Sequence, residues 1–247
     1  MGMYTPLGPN KSLRFAAVER ALKECGCQPR RILEVGCGQG AFATRLVRGA
    51  EYVGLEPDYN SFKIARERLL RLGRGEVLNI EFEDFHHDEA FDLVCAFEVL
   101  EHMVEDRSAI ASWITMLQPD GLLLVSTPAD EARYTAYDKY VGHIRRYEPH
   151  HLRDLLASEG LHDVEVTRYG FPFYNFIELM YAVIAGTRLR HSNQETAHDR
   201  TRKSGGVFVA PDALLRLGGV LAAALVFSQA RFPGRGPGLI AYGRKPA

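Results

Sequence analysis

The 247-residue chain has few cysteines and no strong charge imbalance, and both shortages limit what it can be. Its four cysteines form no CxxC pair, so they fit neither a disulfide framework nor a zinc knuckle. Lysines and arginines (30) nearly balance aspartates and glutamates (31), so the formal net charge of −1 gives no bulk attraction to nucleic acid or anionic lipid. We therefore expect a reduced, cytoplasmic compartment, and we do not expect nucleic acid as a partner.

Long apolar segments are also absent. The N-terminal residues contain no stretch that resembles a signal peptide, and the most apolar run, residues 217–227, is shorter than the ~20 residues that span a bilayer. We expect no membrane span, which leaves peripheral membrane contact open. With 46% hydrophobic and 25% charged residues, the composition is typical of a globular protein, and the length favours one large domain.

Strand-like and helix-like segments alternate along most of the chain. The predicted helices are Pro9 to about Cys25, 41–47, 59–72, 106–117 and 148–160. The predicted strands are 30–35, 51–56, 77–82, 90–99, 120–128, 162–170 and 238–245. This alternation predicts an α/β fold with a mostly parallel sheet that is covered by helices on both faces.

The alternation is interrupted between Gly170 and Gly236. Because structureless loops of this length are uncommon, we interpret the interruption as two apolar helices joined by a mobile linker. The predicted organisation is an N-terminal helix (1–29), an α/β domain (30–169 and 237–247) and a helical insertion (170–236).

The insertion is unusually aromatic at its start. Its aromatic residues are Phe171, Phe173, Tyr174, Phe176 and Tyr181. They are expected to complete the core, to form a lid over an apolar acceptor, to form a homodimer interface, or to contact a membrane surface. Among the functional uses we favour the lid or the dimer. The basic residues that would support membrane contact are Arg188, Arg190, Arg200, Arg202 and Lys203.

A glycine-rich turn follows the first predicted strand. The segment "LEVGCGQGAF" places Gly36, Gly38 and Gly40 between a strand and a helix, where backbone N–H groups are accessible to a ligand. Glu56 ends the second strand, and a carboxylate there accepts hydrogen bonds from both hydroxyls of a ribose. Because a similar pattern, with an acid about 20 residues further on, also marks nicotinamide dehydrogenases, both classes stay open on these residues.

The ordered series "ILEVGCGQGAF", "VGLEPD", "EDF", "FDLVCAFEVLEH" and "GLLLVSTP" resembles class I S-adenosylmethionine-dependent methyltransferases over roughly residues 30–168. The resemblance implies a Rossmann-like, seven-stranded sheet whose last strand is antiparallel, and it decides against the dehydrogenase. It also implies which residues bind S-adenosyl-L-methionine. Those cofactor-binding candidates are Glu34, Gly36, Gly38 and Gly40 for the methionine part, Glu56 for the ribose, Asp84 and Phe85 for the adenine, and Phe97 at the rim.

The segment "FEVLEH" suggests the second half of the site. Glu98, Glu101 and His102 fall at the spacing that places side chains on one face of a helical turn. A later segment brings His143, a candidate general base, and several tyrosines to the same opening. We expect Glu101 and His102 to shape or support that site. The tyrosines are Tyr134, Tyr137, Tyr140 and Tyr147.

Within the class, "EVLEH" followed by "STP" and "GHIRRY" resembles two branches with different chemistry. One contains ubiquinone-pathway O-methyltransferases and bacterial natural-product enzymes, and implies a small-molecule hydroxyl as acceptor. The other contains small-RNA 3′-terminal ribose 2′-O-methyltransferases, whose corresponding residues ligate a divalent ion. These would be Glu98, Glu101, His102 and His143. We favour the metal-free, small-molecule enzyme over the metal-dependent one, and keep a non-catalytic nucleoside-binding module as the alternative of another class.

Overall fold

The structure is a computed structural model that describes residues 7–189 and 225–247. The strands are β1 (Arg31–Val35), β2 (Glu51–Leu55), β3 (Glu76–Leu78), β4 (Phe91–Phe97), β5 (Leu117–Pro128), β6 (His162–Tyr169) and β7 (Gly238–Arg244). The helices are α1 (Pro9–Glu24), α2 (Ala43–Leu46), α3 (Tyr59–Leu72), α4 (Asp106–Thr115), α5 (Ala136–Val141), α6 (Pro149–Ser158) and α7 (Phe173–Leu189). Residues 225–230 are also helical.

The seven strands form one sheet in the order β3-β2-β1-β4-β5-β7-β6. Strands β1 to β5 pair in parallel, whereas β7 lies antiparallel to both β5 and β6. The α/β class, the mostly parallel sheet and the reversed last strand are thereby confirmed. The strand order changes direction between β1 and β4, and the crevice at the carboxyl ends of such strands is where open α/β sheets bind ligands.

Alternating side chains of the central strands bury both faces of the sheet. Ile32 packs with α1, α2 and α3 on one face, and the next residue, Leu33, packs with α4 and α6 on the other. Trp113 of α4 is 1% exposed and fills the second face. Apolar residues in the strands therefore explain the layered fold.

Local capping explains why the predicted bounds of α3 match the structure. The side chain of Asp58 accepts a hydrogen bond from the Ser61 N–H over 2.8 Å, which satisfies a free donor at the helix start. Gly73 ends the helix with φ +64°, a backbone conformation that glycine adopts without steric cost. Both signals are visible in the sequence.

Strand β3 is shorter than the predicted strand 77–82. It ends at Leu78, because the next side chain, Asn79, donates to the carbonyl oxygens of Glu56 and Pro57 over 2.8 and 2.9 Å. Phe82–Asp84 then form a single 3₁₀ turn. The prediction of a strand through residue 82 was wrong.

Helix α7 confirms the first helix predicted for the insertion. Most of the predicted second helix and linker lies outside the described residues, as do Arg190, Arg200, Arg202 and Lys203, and the side chain of Arg188 is not described. The division into three segments remains a prediction. No helix in the described ranges has the length and hydropathy to cross a membrane.

Candidate functional site

The glycine turn after β1 lies at the point where the strand order reverses. Gly36, Gly38 and Gly40 have φ of +69°, +57° and +70°, a region that disfavours side chains. A Cβ on Gly36 would lie 2.7 Å from Val99, and one on Gly40 3.0 Å from Ala65. In contrast, a Cβ on Gly38 would meet nothing within 4 Å. Two glycines thus allow close packing, and the middle one borders open space.

Glu56 closes the turn from the neighbouring strand. Its Oε2 accepts the Gly38 N–H over 2.7 Å, and its Oε1 accepts the Asp58 N–H over 2.9 Å. Burial raises the pKa of Glu56, while these two N–H groups lower it in part. An ionised carboxylate has about four acceptor positions, so the two N–H groups leave room for two further donors, such as ribose hydroxyls.

Glu34 lies deeper, at the end of β1. It is 3% exposed, and its Oε2 accepts the hydroxyl of Tyr52 over 2.6 Å. Burial raises the pKa of Glu34 to about 8, although the Tyr52 hydrogen bond opposes the rise. Glu34 is therefore a carboxyl that would become charged when a cation approaches it.

The two residues predicted to bind adenine occupy different environments. Asp84 is exposed in the 3₁₀ turn after β3. Phe85 is 4% exposed and packs against Phe91, 6.3 Å between ring centroids, inside the second hydrophobic face. Phe85 therefore serves the core in this structure, whereas Asp84 remains accessible to a ligand.

The end of β4 presents Phe97 and Glu98. Phe97 is 8% exposed and packs edge-to-face on Phe42, with 5.1 Å between ring centroids. Glu98 has φ +57°, which is uncommon for a residue with a side chain. Its carboxylate pairs with Arg14 of α1 over 2.8 Å and accepts the Ser126 hydroxyl over 3.2 Å. The expected helical turn begins only at Leu100, so Glu98 precedes the turn that carries Glu101 and His102.

Glu101, His102 and His143 come together as predicted from the sequence. Candidate ligand atoms of the three side chains all lie within 4.8 Å of one another, and His143 Nε2 lies 3.6 Å from Glu101 Oε1. Glu101 is fully buried, and neither of its carboxylate oxygens has a hydrogen-bond partner among the described residues. Burial and then the nearby Glu98 raise the pKa of Glu101 well above its usual range.

Backbone and side-chain acceptors fix both imidazoles. His102 Nδ1 lies 3.1 Å from the carbonyl oxygen of Gly142, and His143 Nδ1 lies 2.8 Å from Oδ1 of Asp138. Because a carbonyl or carboxylate oxygen only accepts, both Nδ1 atoms carry the proton in the neutral rings. Burial and the neighbouring His143 lower the pKa of His102 to about 4. The Nε2 atom of His143 is then the basic nitrogen, and it faces Glu101.

These three residues also fit a divalent ion. An orphaned buried carboxylate beside two imidazoles is a donor set that suits several divalent metals, and fixing Nδ1–H is how proteins orient metal-binding histidines. Glu98 lies outside this group, since it pairs with Arg14. The described residues therefore fit three ligands of the four-residue set implied by the RNA-modifying branch.

Two pairs of tyrosines lie near the site, and of these four residues only Tyr137 was expected from the sequence. Tyr137 lies 6.4 Å from His143 between ring centroids and stacks on Tyr181 at 5.2 Å. Tyr169 and Tyr174 form a second pair at 5.9 Å, and the Tyr169 hydroxyl accepts from Arg14. The prediction that Tyr147 lies at the opening was wrong, because this residue is 5% exposed and its hydroxyl donates to Asp106 over 2.8 Å within the core.

The sequence analysis gave no role in the site to Arg14, Asp138 or Arg146. Arg14 lies in the opening helix, and its partner Glu98 is far away in sequence. Asp138 and Arg146 flank His143 within "DKYVGHIRRY", and a histidine between an acid and a base was a signal that we did not use. Arg14 contacts Glu98, Asp138 contacts His143, and Arg146 contacts Asp138.

Known proteins resemble the chain in sequence and in fold. A family model described as a methyltransferase domain matches residues 11–166. The ubiquinone biosynthesis O-methyltransferase of Yersinia enterocolitica is 30% identical over 130 residues, which cover 51% of this chain and 53% of that protein. The chain thus spans about half the length of the curated relatives it matches.

Solved structures agree on the fold. The N-methyltransferase NodS from Bradyrhizobium japonicum, in complex with S-adenosyl-L-homocysteine, superposes with a TM-score of 0.56 at 18% identity, covering 95% of this chain and 87% of that one. The [4+2]-cyclase SpnF has a TM-score of 0.56 at 20% identity, covering 95% and 81%. At such identities the likeness concerns the fold alone. The family model, which spans more than half of the sequence, shows that the chain belongs to the methyltransferase domain family.

Proposed function

We propose that the chain binds S-adenosylmethionine and transfers its methyl group to a hydroxyl of a small molecule. The single observation that carries the proposal is the 2.7 Å hydrogen bond between Gly38 and Glu56. It joins an open glycine turn to a strand-end carboxylate at the reversal of the sheet. That arrangement suits a ligand with a ribose and a charged tail.

Each part of the donor has a matching group. The hydroxyls of the ribose would bind Glu56, and the ammonium group of the methionine part would lie near Glu34, whose carboxylate is otherwise costly to ionise. Asp84 would accept from the adenine amino group at the exposed end. Phe97 borders the donor from β4, where its ring is held by Phe42. Phe85 is left out of this proposal because it is buried in the core.

The reaction is an in-line displacement, so the protein chiefly aligns the two partners. The acceptor oxygen attacks the methyl carbon, the carbon–sulfur bond breaks, and its electron pair neutralises the sulfonium. The proton of the acceptor hydroxyl passes to Nε2 of His143. The products are a methyl ether, S-adenosylhomocysteine and a protonated His143 that later releases its proton to water.

His143 suits the role of general base because of its two neighbours. Asp138 holds Nδ1–H and stabilises the imidazolium that forms, as an orienting carboxylate does in other acid–base sites. Glu101 faces Nε2 at 3.6 Å, and His102 stands edge-on to the ring with 4.9 Å between centroids. An acceptor hydroxyl at this opening would therefore meet the basic nitrogen.

The tyrosines favour an aromatic acceptor. The Tyr137–Tyr181 pair lies beside His143, and the Tyr169–Tyr174 pair, of which Tyr169 is buried, lies beside Arg14. Aromatic rings prefer offset or edge-to-face contact with other rings, so a phenol or catechol would be bound well. Curated relatives named ubiquinone biosynthesis O-methyltransferases support oxygen as the target atom.

A second candidate is a metal-assisted version of the same transfer, and the orphaned carboxylate of Glu101 favours it. Glu101, His102 and His143 would hold the ion, which would supply a positive charge that acidifies the acceptor hydroxyl. Metal binding separates the two candidates without turnover. Mn²⁺ titrated into chelator-treated protein and followed by electron paramagnetic resonance would bind stoichiometrically only in the metal-assisted enzyme, and Glu101→Gln would abolish that binding.

Turnover tests the transfer itself. Purified protein is incubated with S-adenosylmethionine and a panel of catechols and phenols, and S-adenosylhomocysteine is quantified. Formation that depends on the acceptor and is lost in His143→Ala supports the proposal. Saturable donor binding without turnover on any acceptor would favour a non-catalytic nucleoside-binding module, because one fold can carry different functions.

A further inference from the structure

A buried series of charged side chains connects the insertion to His143. Glu178 lies on α7, is 8% exposed and places Oε1 2.5 Å from a guanidinium nitrogen of Arg146. Arg146 is 2% exposed and donates through Nε and a terminal nitrogen to the two carboxylate oxygens of Asp138, over 2.9 and 2.7 Å. Asp138 in turn accepts Nδ1–H of His143 over 2.8 Å.

Asp138, which lies between Arg146 and His143 in this series, is held by several hydrogen bonds. Burial alone would raise the pKa of Asp138, but the hydrogen bonds from His143 and Arg146 outweigh it, so the pKa is lowered and the carboxylate is charged. The backbone N–H of Thr135 donates to Oδ2 over 2.7 Å as well. Asp138 therefore cannot rotate without breaking several charge-assisted hydrogen bonds.

Glu178 also completes the charge balance. Its Oε2 pairs with Arg133 over 2.5 Å, so two carboxylates, Asp138 and Glu178, face two guanidinium groups. Without Glu178, the buried Arg146 would keep Asp138 as its one ion-pair partner among the described residues. The guanidinium would then draw Asp138 away from His143, because an uncompensated buried charge is costly.

We propose that Glu178 is a positioning residue that sets the orientation of His143 through Arg146 and Asp138. The insertion helix α7 thereby becomes part of the site rather than only a cover for it. The inference rests on the proposed function for its catalytic meaning. It applies equally whether His143 Nε2 accepts a proton or binds a metal ion, since both roles require Nδ1–H to be fixed.

The test reads the imidazole directly and needs neither donor nor acceptor. The ligand-free full chain is labelled with ¹⁵N, and long-range ¹H–¹⁵N spectra report which ring nitrogen carries the proton. His143→Gln identifies the signal by its loss. In the wild-type protein we expect one tautomer, protonated on Nδ1, with a downfield Hδ1 signal that exchanges slowly with water.

In Glu178→Gln we expect the Hδ1 signal to move upfield and to exchange about tenfold faster, the effect of weakening one hydrogen bond. If this variant does not fold, Arg146→Lys serves instead. A lysine keeps the charge but cannot bridge Asp138 and Glu178, so we expect the same change in the Hδ1 signal of His143. An unchanged signal, in position and exchange rate, in either folded variant overturns the proposal.

Glu159→Gln is the matched control. Glu159 pairs with Arg107, its side chain is 14% exposed, and it follows the C-terminal end of α6, whereas His143 precedes the start of that helix. This variant also loses an ion pair, yet it should leave the His143 signal unchanged. A change of equal size in the control would show that any lost ion pair disturbs His143, and would overturn the specific role of Glu178. Absence of methyl transfer would refute the proposed function but would leave this spectroscopic result intact.

Discussion

The backbone N–H of Gly38 donates to Oε2 of Glu56 over 2.7 Å, and this hydrogen bond joins the turn after β1 to the end of β2. Gly38 needs a positive φ of +57°, whereas the space beside its Cα is empty. At this position glycine is therefore favoured by the backbone conformation and not by packing against a neighbour. A ligand that approaches this backbone would be sensitive to any added side chain.

Gly38→Ala tests that sensitivity. Alanine should cost about 1 kcal/mol of unfolding free energy through the positive φ, and it should weaken donor binding further by placing a methyl group at the turn. Urea unfolding and calorimetry with S-adenosylhomocysteine measure the two effects. Gly26→Ala is the control, because Gly26 has φ +65° and no atom within 4 Å of its Cβ position, but lies before β1. Equal loss of affinity in both variants would contradict the assignment.

The raised pKa of Glu34 predicts a pH dependence of stability. Because its pKa of about 8 in the folded protein exceeds the ordinary value of 4.5, the protonated form contributes stability that is present at low pH and is lost as the pH rises through 8. Relative to Glu34→Gln, the wild-type protein should lose up to about 1.4 kcal/mol of unfolding free energy per pH unit between pH 5 and 8. Parallel stability curves for the two proteins would show that Glu34 ionises normally.

His143→Ala should lower turnover far more than donor affinity. Loss of a general base typically reduces kcat by about 10²–10⁴-fold, while the donor contacts of Glu56 are untouched. Steady-state kinetics and calorimetry with S-adenosylhomocysteine give the two quantities. His151→Ala is the control, because that histidine is exposed on α6 and should leave both unchanged. Full activity in His143→Ala would remove His143 as the base.

Much of the fold could be predicted from local signals in the sequence. The helical periodicity of residues 59–72 predicted the bounds of α3, where Asp58 and Gly73 cap the helix, and the apolar runs predicted the central strands. Strand β3 was predicted too long, because the Asn79 side chain bonds to the backbone of Glu56 and Pro57, a contact between distant residues that no local pattern reveals.

Part of the candidate site could also be predicted from the sequence. Glu101, His102 and His143 were predicted to lie together, and they do, because the carboxyl ends of β4 and β5 share one edge of the sheet. The pairing of Glu98 with Arg14 was not predicted, since it joins α1 to the end of β4. Nor was the contact between Arg146 and Glu178, which joins the loop before α6 to the insertion. Such side-chain pairs depend on how distant elements pack.

The donor site itself is tested most directly by calorimetric titration of the purified chain with S-adenosylhomocysteine, compared between the wild-type protein and Glu56→Ala. We predict one saturable site in the wild-type protein and an affinity at least about 100-fold lower in the variant, because two charge-assisted hydrogen bonds to the ribose are lost. If the wild-type protein ignored this ligand but saturated with a nicotinamide dinucleotide, the account would be contradicted.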